Sequence, residues 1–168
     1  KPKLILAASC GLEPGRTIAY KPLLDVAMQL ATHKPSACII FQRPEAEAAL
    51  VAGRDYAWQD EEAKARAQNN RAPCVPVLAT DPLYILYTSG TTGVPKGVVR
   101  DTGGHLVSLA WAMENIYTIG AGDVFWSASD FGWVVGHSFV LYGPLCVGAT
   151  SVIYEGKPIG TPDARSEE

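Results

Sequence analysis

Tyr87-Thr88-Ser89-Gly90-Thr91-Thr92-Gly93-Val94-Pro95-Lys96-Gly97 decides how this chain is read. The stretch grows out of Leu83-Tyr84-Ile85-Leu86-Tyr87. The length and the aromatic and β-branched content of that apolar run predict a buried strand. The chemistry then changes abruptly. Thr88, Ser89, Thr91 and Thr92 alternate with Gly90, Gly93 and Gly97, and Lys96 stands near the end. Glycine lets the backbone aim its amides at a ligand with no Cβ in the way. Hydroxyls donate hydrogen bonds to anionic oxygens, and the lysine adds a full positive charge on a long stem. Together these residues predict a cradle for a polyphosphate. A flexible Ser/Thr/Gly loop between two strands would have a similar composition, and that alternative stands beside the first. Spacing excludes two other phosphate motifs. A Walker A loop needs four residues between its glycines and a hydroxyl after the lysine, and the dinucleotide fingerprint G-x-G-x-x-G is absent.

The 168 residues are enough for one domain with a sizeable core, and 48% hydrophobic against 18% charged residues reads as globular. The net charge of −3 comes with no basic stripe, so nucleic acid is not an expected partner. No apolar run approaches the ~20 residues of a membrane-spanning helix, so no membrane partner is expected either. Lys1-Pro2-Lys3-Leu4-Ile5-Leu6-Ala7-Ala8-Ser9-Cys10 faintly mimics a signal peptide, but its short apolar part reads as a strand. Cys10, Cys38, Cys74 and Cys146 form no C-x-x-C pair and lie at no ligand spacing from histidine. They are expected to be buried reduced thiols, as in a reducing compartment.

Upstream of the loop, Leu4–Ala8 predicts a strand and Gly11–Arg16 a turn-rich loop. Pro22 to about Leu30 predicts a helix, with Leu23, Val26, Ala27 and Leu30 on one face. Ala37–Phe41 is a second short apolar run, closed by Arg43-Pro44. Strand, helix and strand at this spacing predict a parallel crossover unit. Ala46–Ala79 carries a weaker signal. It reads as a surface excursion with no site, holding a solvated helix from Asp60 to Gln68 whose acidic start and basic later turn suit the helix dipole.

Downstream, Val98-Val99 predicts a brief strand, and Thr102-Gly103-Gly104 opens a helix. Leu106, Leu109, Ala110, Met113, Ile116 and Tyr117 recur on it at core-packing spacing. Val124–Ser127 and Thr150–Tyr154 read as further strands. Between them, Trp126-Ser127-Ala128-Ser129-Asp130-Phe131-Gly132-Trp133-Val134-Val135-Gly136-His137-Ser138 sets two tryptophans, an aspartate and a histidine beside glycines. Such a segment can wall a ligand pocket. It can equally be core, with Asp130 capping the next helix and His137 hydrogen-bonded in place.

The complete string from Tyr87 to Gly97 closely resembles the phosphate-loop signature of the adenylate-forming superfamily, the acyl-CoA synthetases, luciferases and peptide-synthetase adenylation domains. The second segment, continued by Tyr142-Gly143-Pro144-Leu145 and Gly148, resembles the short-chain branch, the acetyl- and propionyl-CoA synthetases. The Val134-Val135 pair and Tyr154-Glu155-Gly156-Lys157-Pro158-x-Gly160-Thr161-Pro162-Asp163-Ala164 are similar to the propionate enzymes. The resemblance runs from Leu4 to Ala164. It implies an α/β fold, a mostly parallel sheet flanked by helices. It also implies ATP, Mg2+ and CoA as cofactor and substrates, with propionate or acetate as the acid.

By the same resemblance, Thr88, Ser89, Gly90, Thr91, Thr92, Gly93 and Lys96 hold the ATP phosphates, with Lys96 on the departing pyrophosphate. Trp133, Val134, Val135 and Gly136 wall the acyl pocket. Arg16 meets the CoA phosphates, although acetate relatives carry a second arginine where this chain has Glu13. The family's adenine loop, ribose aspartate, hinge and lid lysine do not occur in this sequence. Residues 1–168 are therefore expected to be part of a large N-terminal AMP-binding domain, without the C-terminal lid and with no catalytic residue of their own. The implied compartment is the bacterial cytoplasm or the mitochondrial matrix.

Overall fold

Ile5 and Ala7 alternate with the more exposed Leu4 and Leu6, the period of a half-buried strand, and they form β1 (Leu4–Ala8). In the computed structural model the described residues are 1–13, 15–90 and 93–155. Thr91, Thr92 and the propionate-like motif from Gly156 to Ala164 lie outside them. The chain divides into two compact units, described from Lys1 to Pro73 and from Cys74 to Glu155.

The first unit is built on the expected crossover. β1 runs parallel to β4 (Ala37–Phe41), with Leu4 opposite Ala37 and Ala8 opposite Phe41. Between them lie a hairpin, β2 (Cys10–Glu13) with β3 (Arg16–Ala19), and the helix α1 (Lys21–Leu30). The hairpin replaces the loop expected over Gly11–Arg16, because a two-residue connection lets four residues on each side pair. The face of α1 also differs from the expected one. Lys21, Leu24 and Met28 face inward, and Leu24 and Met28 pack with Ile5, Ala7, Cys38 and Ile40, whereas Leu23, Val26 and Leu30 are exposed. α1 carries two apolar stripes, and periodicity alone does not choose between them.

A third parallel strand, β5 (Asp55–Ala57), pairs with β4 inside the stretch expected to be a surface excursion with a single helix. Three residues of mixed polarity give no strand signal of their own; β4 supplies the template. α2 (Trp58–Ala67) follows, solvated as expected, with Glu61–Lys64 and Glu62–Arg66 ion pairs along its surface.

In the second unit, β6 (Pro82–Thr88) and β7 (Lys96–Asp101) form an antiparallel hairpin, so the strand after the glycine loop is longer than Val98-Val99. Asp101 ends β7 and caps α3 (Thr102–Asn115), its carboxylate accepting from the Gly104 amide at 2.9 Å. His105, Leu109, Ala112 and Met113 are the buried face of α3; of the predicted stripe, Ile116 and Tyr117 fall beyond the helix end and are exposed. β8 (Val124–Phe125) and β9 (Thr150–Ser151) pair in parallel, shorter than expected. The 134–146 segment is helical throughout: α4 (Val134–Gly136), a π-helix (His137–Tyr142) and α5 (Gly143–Cys146). Met113, Val140, Pro144 and Ala149 sit in the interior of this unit. The parallel pairings and their helices make the fold α/β, with the two hairpins as antiparallel additions.

All four cysteines are free thiols. Cys10 and Cys38 are buried, but Cys74 and Cys146 are exposed, contrary to expectation, since neither sits on an inward face. Burial pushes the Cys38 thiol up and keeps it protonated. Among the described residues no helix is long and apolar enough to cross a membrane.

Candidate functional site

The Gly-rich stretch is the turn of the β6–β7 hairpin. Thr88 pairs with Lys96 across the last rung and Tyr87 with Gly97, so Ser89 to Pro95 forms the loop. Gly90 and Gly93 both take left-handed backbone, with φ of +64° and +76°. Gly90 is also tightly enclosed, since a Cβ there would lie 2.4 Å from the Val94 carbonyl oxygen. Gly93 has open space where its Cβ would be. Thr88, Ser89, Gly93 and Lys96 are exposed, the Thr88 hydroxyl donating only a long 3.5 Å bond to the Lys96 carbonyl. Exposed hydroxyls and an ammonium group around left-handed glycines can bind an anion of several oxygens. β6 is less buried than expected: Leu83, Tyr84 and Leu86 are half-buried, while Ile85 and Tyr87 are 57% and 71% exposed. A two-stranded hairpin covers one face only.

The second group of candidates is contiguous. Asp130 turns the chain ahead of α4. Its carboxylate accepts from the Gly132 amide at 2.6 Å and its carbonyl from the Trp133 amide at 3.1 Å. Trp133 occupies the N-cap of α4 with no side-chain cap bond, so Asp130 shapes the turn without capping the helix. Trp133 and Val135 are 69% and 45% exposed, Val134 is half-buried and Gly136 is buried. Gly136 backs directly onto the chain before it, because a Cβ there would lie 2.2 Å from the Asp130 carbonyl oxygen. These four residues make an apolar ledge with a glycine floor. Arg16 belongs to the first unit, at the start of β3, where its guanidinium donates to Glu13 at 2.8 Å and 2.5 Å. That carboxylate offsets the charge a phosphate would need.

Two clusters were not foreseen. In the second unit, Tyr84 of β6 stacks on Tyr142 (centroids 5.8 Å apart) and lies 5.2 Å from the His137 ring. Its hydroxyl is 3.3 Å from His105 Nε2. Burial, and then the charge of Arg100, lower the His105 pKa. His105 shares the i, i+4 spacing of Leu109 and Met113, the one signal that could have placed it inward. In the first unit, Lys21 bonds Asp25 (2.7 Å) and Asp55 (3.0 Å), while Arg54 bonds Asp55 (2.6 Å) and Asp25. Burial alone would raise the Asp55 pKa. Hydrogen bonds from Arg54, the Val51 amide and Lys21 outweigh it and hold the carboxyl well below the usual range. A shallow concavity beside this network, lined by Met28, Gln29, Lys34, Pro35 and Arg54, contains none of the predicted site residues.

A family model described as AMP-binding enzyme matches residues 8–166. The chain belongs to that family. Rat "Acyl-CoA synthetase short-chain family member 3, mitochondrial" is 56% identical over 165 residues, covering 98% of this chain and 24% of the relative. "Propionate--CoA ligase" of Escherichia coli strain K12 is 46% identical over 160 residues, 94% of this chain and 25% of that protein. Among solved structures, acetoacetyl-CoA synthetase from Streptomyces lividans superposes with a TM-score of 0.76 at 27% identity, over 98% of this chain and 24% of that one. The chain therefore spans about a quarter of the length of the relatives it matches.

Proposed function

We propose that this AMP-binding chain is part of a short-chain acyl-CoA synthetase. In the first half-reaction a short carboxylate, propionate or acetate, attacks the α-phosphate of ATP, giving an acyl-adenylate and pyrophosphate. In the second, the CoA thiol attacks the acyl carbon and AMP leaves. The observation that carries the reading is the β6–β7 turn, where Gly90 and Gly93 take left-handed backbone and Thr88, Ser89 and Lys96 are exposed. The relatives' names support the same chemistry.

The proposed roles follow from geometry and charge. Thr88, Ser89, Gly90, Thr91, Thr92, Gly93 and Lys96 hold the β- and γ-phosphates, with Lys96 neutralising charge as pyrophosphate departs. Among the described residues no three His, Cys, Asp or Glu side chains converge as a metal group. The hydroxyls of Thr88 and Ser89 are hard oxygen donors that suit magnesium entering with ATP, where it neutralises phosphate charge. Trp133, Val134, Val135 and Gly136 form one wall of the acyl site. A preference for propionate over acetate rests on one methylene, worth ~1–3 kcal/mol in an apolar pocket. Arg16 is the proposed CoA phosphate contact, weakened by its bond to Glu13. The rat relative's name supports a mitochondrial location, for which the matrix is our proposal, and the bacterial relative keeps the cytoplasm open.

A second reading concerns the chain in isolation. It is a non-catalytic piece of a large N-terminal domain, an idea favoured by the exposure of Ile85, Tyr87 and Trp133 and by its quarter-length coverage. One experiment addresses both readings: carboxylate-dependent exchange of labelled pyrophosphate into ATP, with acetate, propionate and butyrate. The samples are the full-length protein, its Lys96→Ala variant and the 168-residue chain. A charge-assisted hydrogen bond is worth ~1.5–3 kcal/mol, so Lys96→Ala should lose about ten- to about 150-fold in exchange. The short chain should show none. A well-folded full-length protein with no exchange for any acid would sink the synthetase reading.

A further inference from the structure

One carbonyl group in the acyl-wall turn is held twice. The Trp133 oxygen accepts from the His137 amide at 3.3 Å and lies 3.1 Å from His137 Nδ1. A carbonyl can only accept, so Nδ1 carries the hydrogen. The other side of the same imidazole packs on Tyr84, ring centroids 5.2 Å apart and tilted by 31°. Tyr84 is fixed in turn, stacked on Tyr142 and within 3.3 Å of His105. It lies on β6, four residues before Thr88, where the phosphate loop begins. His137 also opens the π-helix, a rare geometry that often marks functional sites. The imidazole thus touches both candidate elements, one through a hydrogen bond and the other through a ring face.

We propose that His137 is a positioning residue that sets the Trp133–Gly136 turn against strand β6, and so sets the acyl wall against the phosphate loop. The role rests on the synthetase reading above. His137 contacts no reacting atom; it acts through the Trp133 backbone and the Tyr84 ring.

Two substitutions divide the two contacts. His137→Phe keeps the ring against Tyr84 and removes the donor. His137→Asn keeps a donor near the Nδ1 position and removes the ring. In the full-length protein, His137→Phe should raise the KM for propionate about fivefold or more and blunt discrimination against butyrate. Its KM for ATP should stay within about twofold. His137→Asn should show the reverse split, with the propionate KM near wild type and the ATP KM raised. Parallel changes in both KM values, or no change in either variant, would overturn the proposal. A second readout needs no turnover. In [15N]histidine-labelled protein, the His137 imidazole should carry its hydrogen on Nδ1, in a signal missing from His137→Phe. A hydrogen on Nε2 alone would overturn the positioning role even if the enzyme is active. An Nδ1 hydrogen in a folded wild type without exchange would instead fault the synthetase reading.

Discussion

The two loop glycines differ in a way that can be measured. Gly90 and Gly93 share left-handed backbone, where a Cβ costs ~1–2 kcal/mol. Only Gly90 adds a steric conflict, with its would-be Cβ 2.4 Å from the Val94 carbonyl oxygen, whereas Gly93 meets nothing within 4 Å. Relieving that conflict must move backbone, and overpacking of this kind costs ~1–3 kcal/mol. If the turn must close to hold phosphate, the distortion is subtracted from transition-state stabilisation. Gly93→Ala should then lose about five- to about 30-fold in kcat/KM for ATP. Gly90→Ala should lose a further five- to about 150-fold. Gly93→Asn should fall between wild type and Gly93→Ala, because asparagine tolerates left-handed backbone. The assay is propionate-dependent pyrophosphate exchange at varied ATP in the full-length protein. Equal losses at the two glycines would refute the reasoning, since they would show that the Val94 carbonyl does not crowd Gly90.

Three further outcomes are expected. Gly136→Ala drives a Cβ to 2.2 Å from the Asp130 oxygen and should destabilise by ~1–3 kcal/mol, seen as a lower Tm; Val135→Ala, on the exposed side of the same turn, should cost less. Asp55→Asn removes a buried carboxylate from two cations that Asp25 still partners, so ~2–4 kcal/mol of stability should go, below or within the range for breaking a buried pair. Because the folded Asp55 pKa lies below its unfolded ~3.9, the carboxylate's contribution is complete above about pH 5 and fades as pH falls through 3.9 and lower. Urea titrations at pH 7, 5 and 3.5 should therefore show the gap between wild type and Asp55→Asn unchanged from pH 7 to 5 and beginning to narrow at 3.5. The isolated 168-residue chain, with Leu23, Val26, Leu30 and Tyr87 exposed, should self-associate in sedimentation; a monodisperse sample that melts cooperatively would contradict this.

What was readable from sequence was local. The parallel β1–α1–β4 unit, the start of α3 and the solvated α2 follow from periods, caps and charge order spanning a few residues. The AMP-binding membership was readable for a different reason: phosphate binding needs glycines, hydroxyls and a lysine at fixed spacing in one stretch, so the motif is contiguous. What escaped depended on neighbours far along the chain. β5 exists because β4 offers free backbone groups, and Asp55 is buried there because Lys21 reaches it from α1, joining its chain neighbour Arg54. The inward choice of Leu24 and Met28 over Leu23 and Val26 is made by the sheet beneath α1.

The sequence by itself was enough to recognise the family, because the resembling string is contiguous, and it nominated the residues proposed to face a phosphate. Only the tertiary structure decided that Gly90 is crowded while Gly93 is free. It also decided that Arg16 is engaged by Glu13 and that His137 links Trp133 to Tyr84. Each of these is a distance between atoms brought together by folding, and distance is what a linear pattern does not carry.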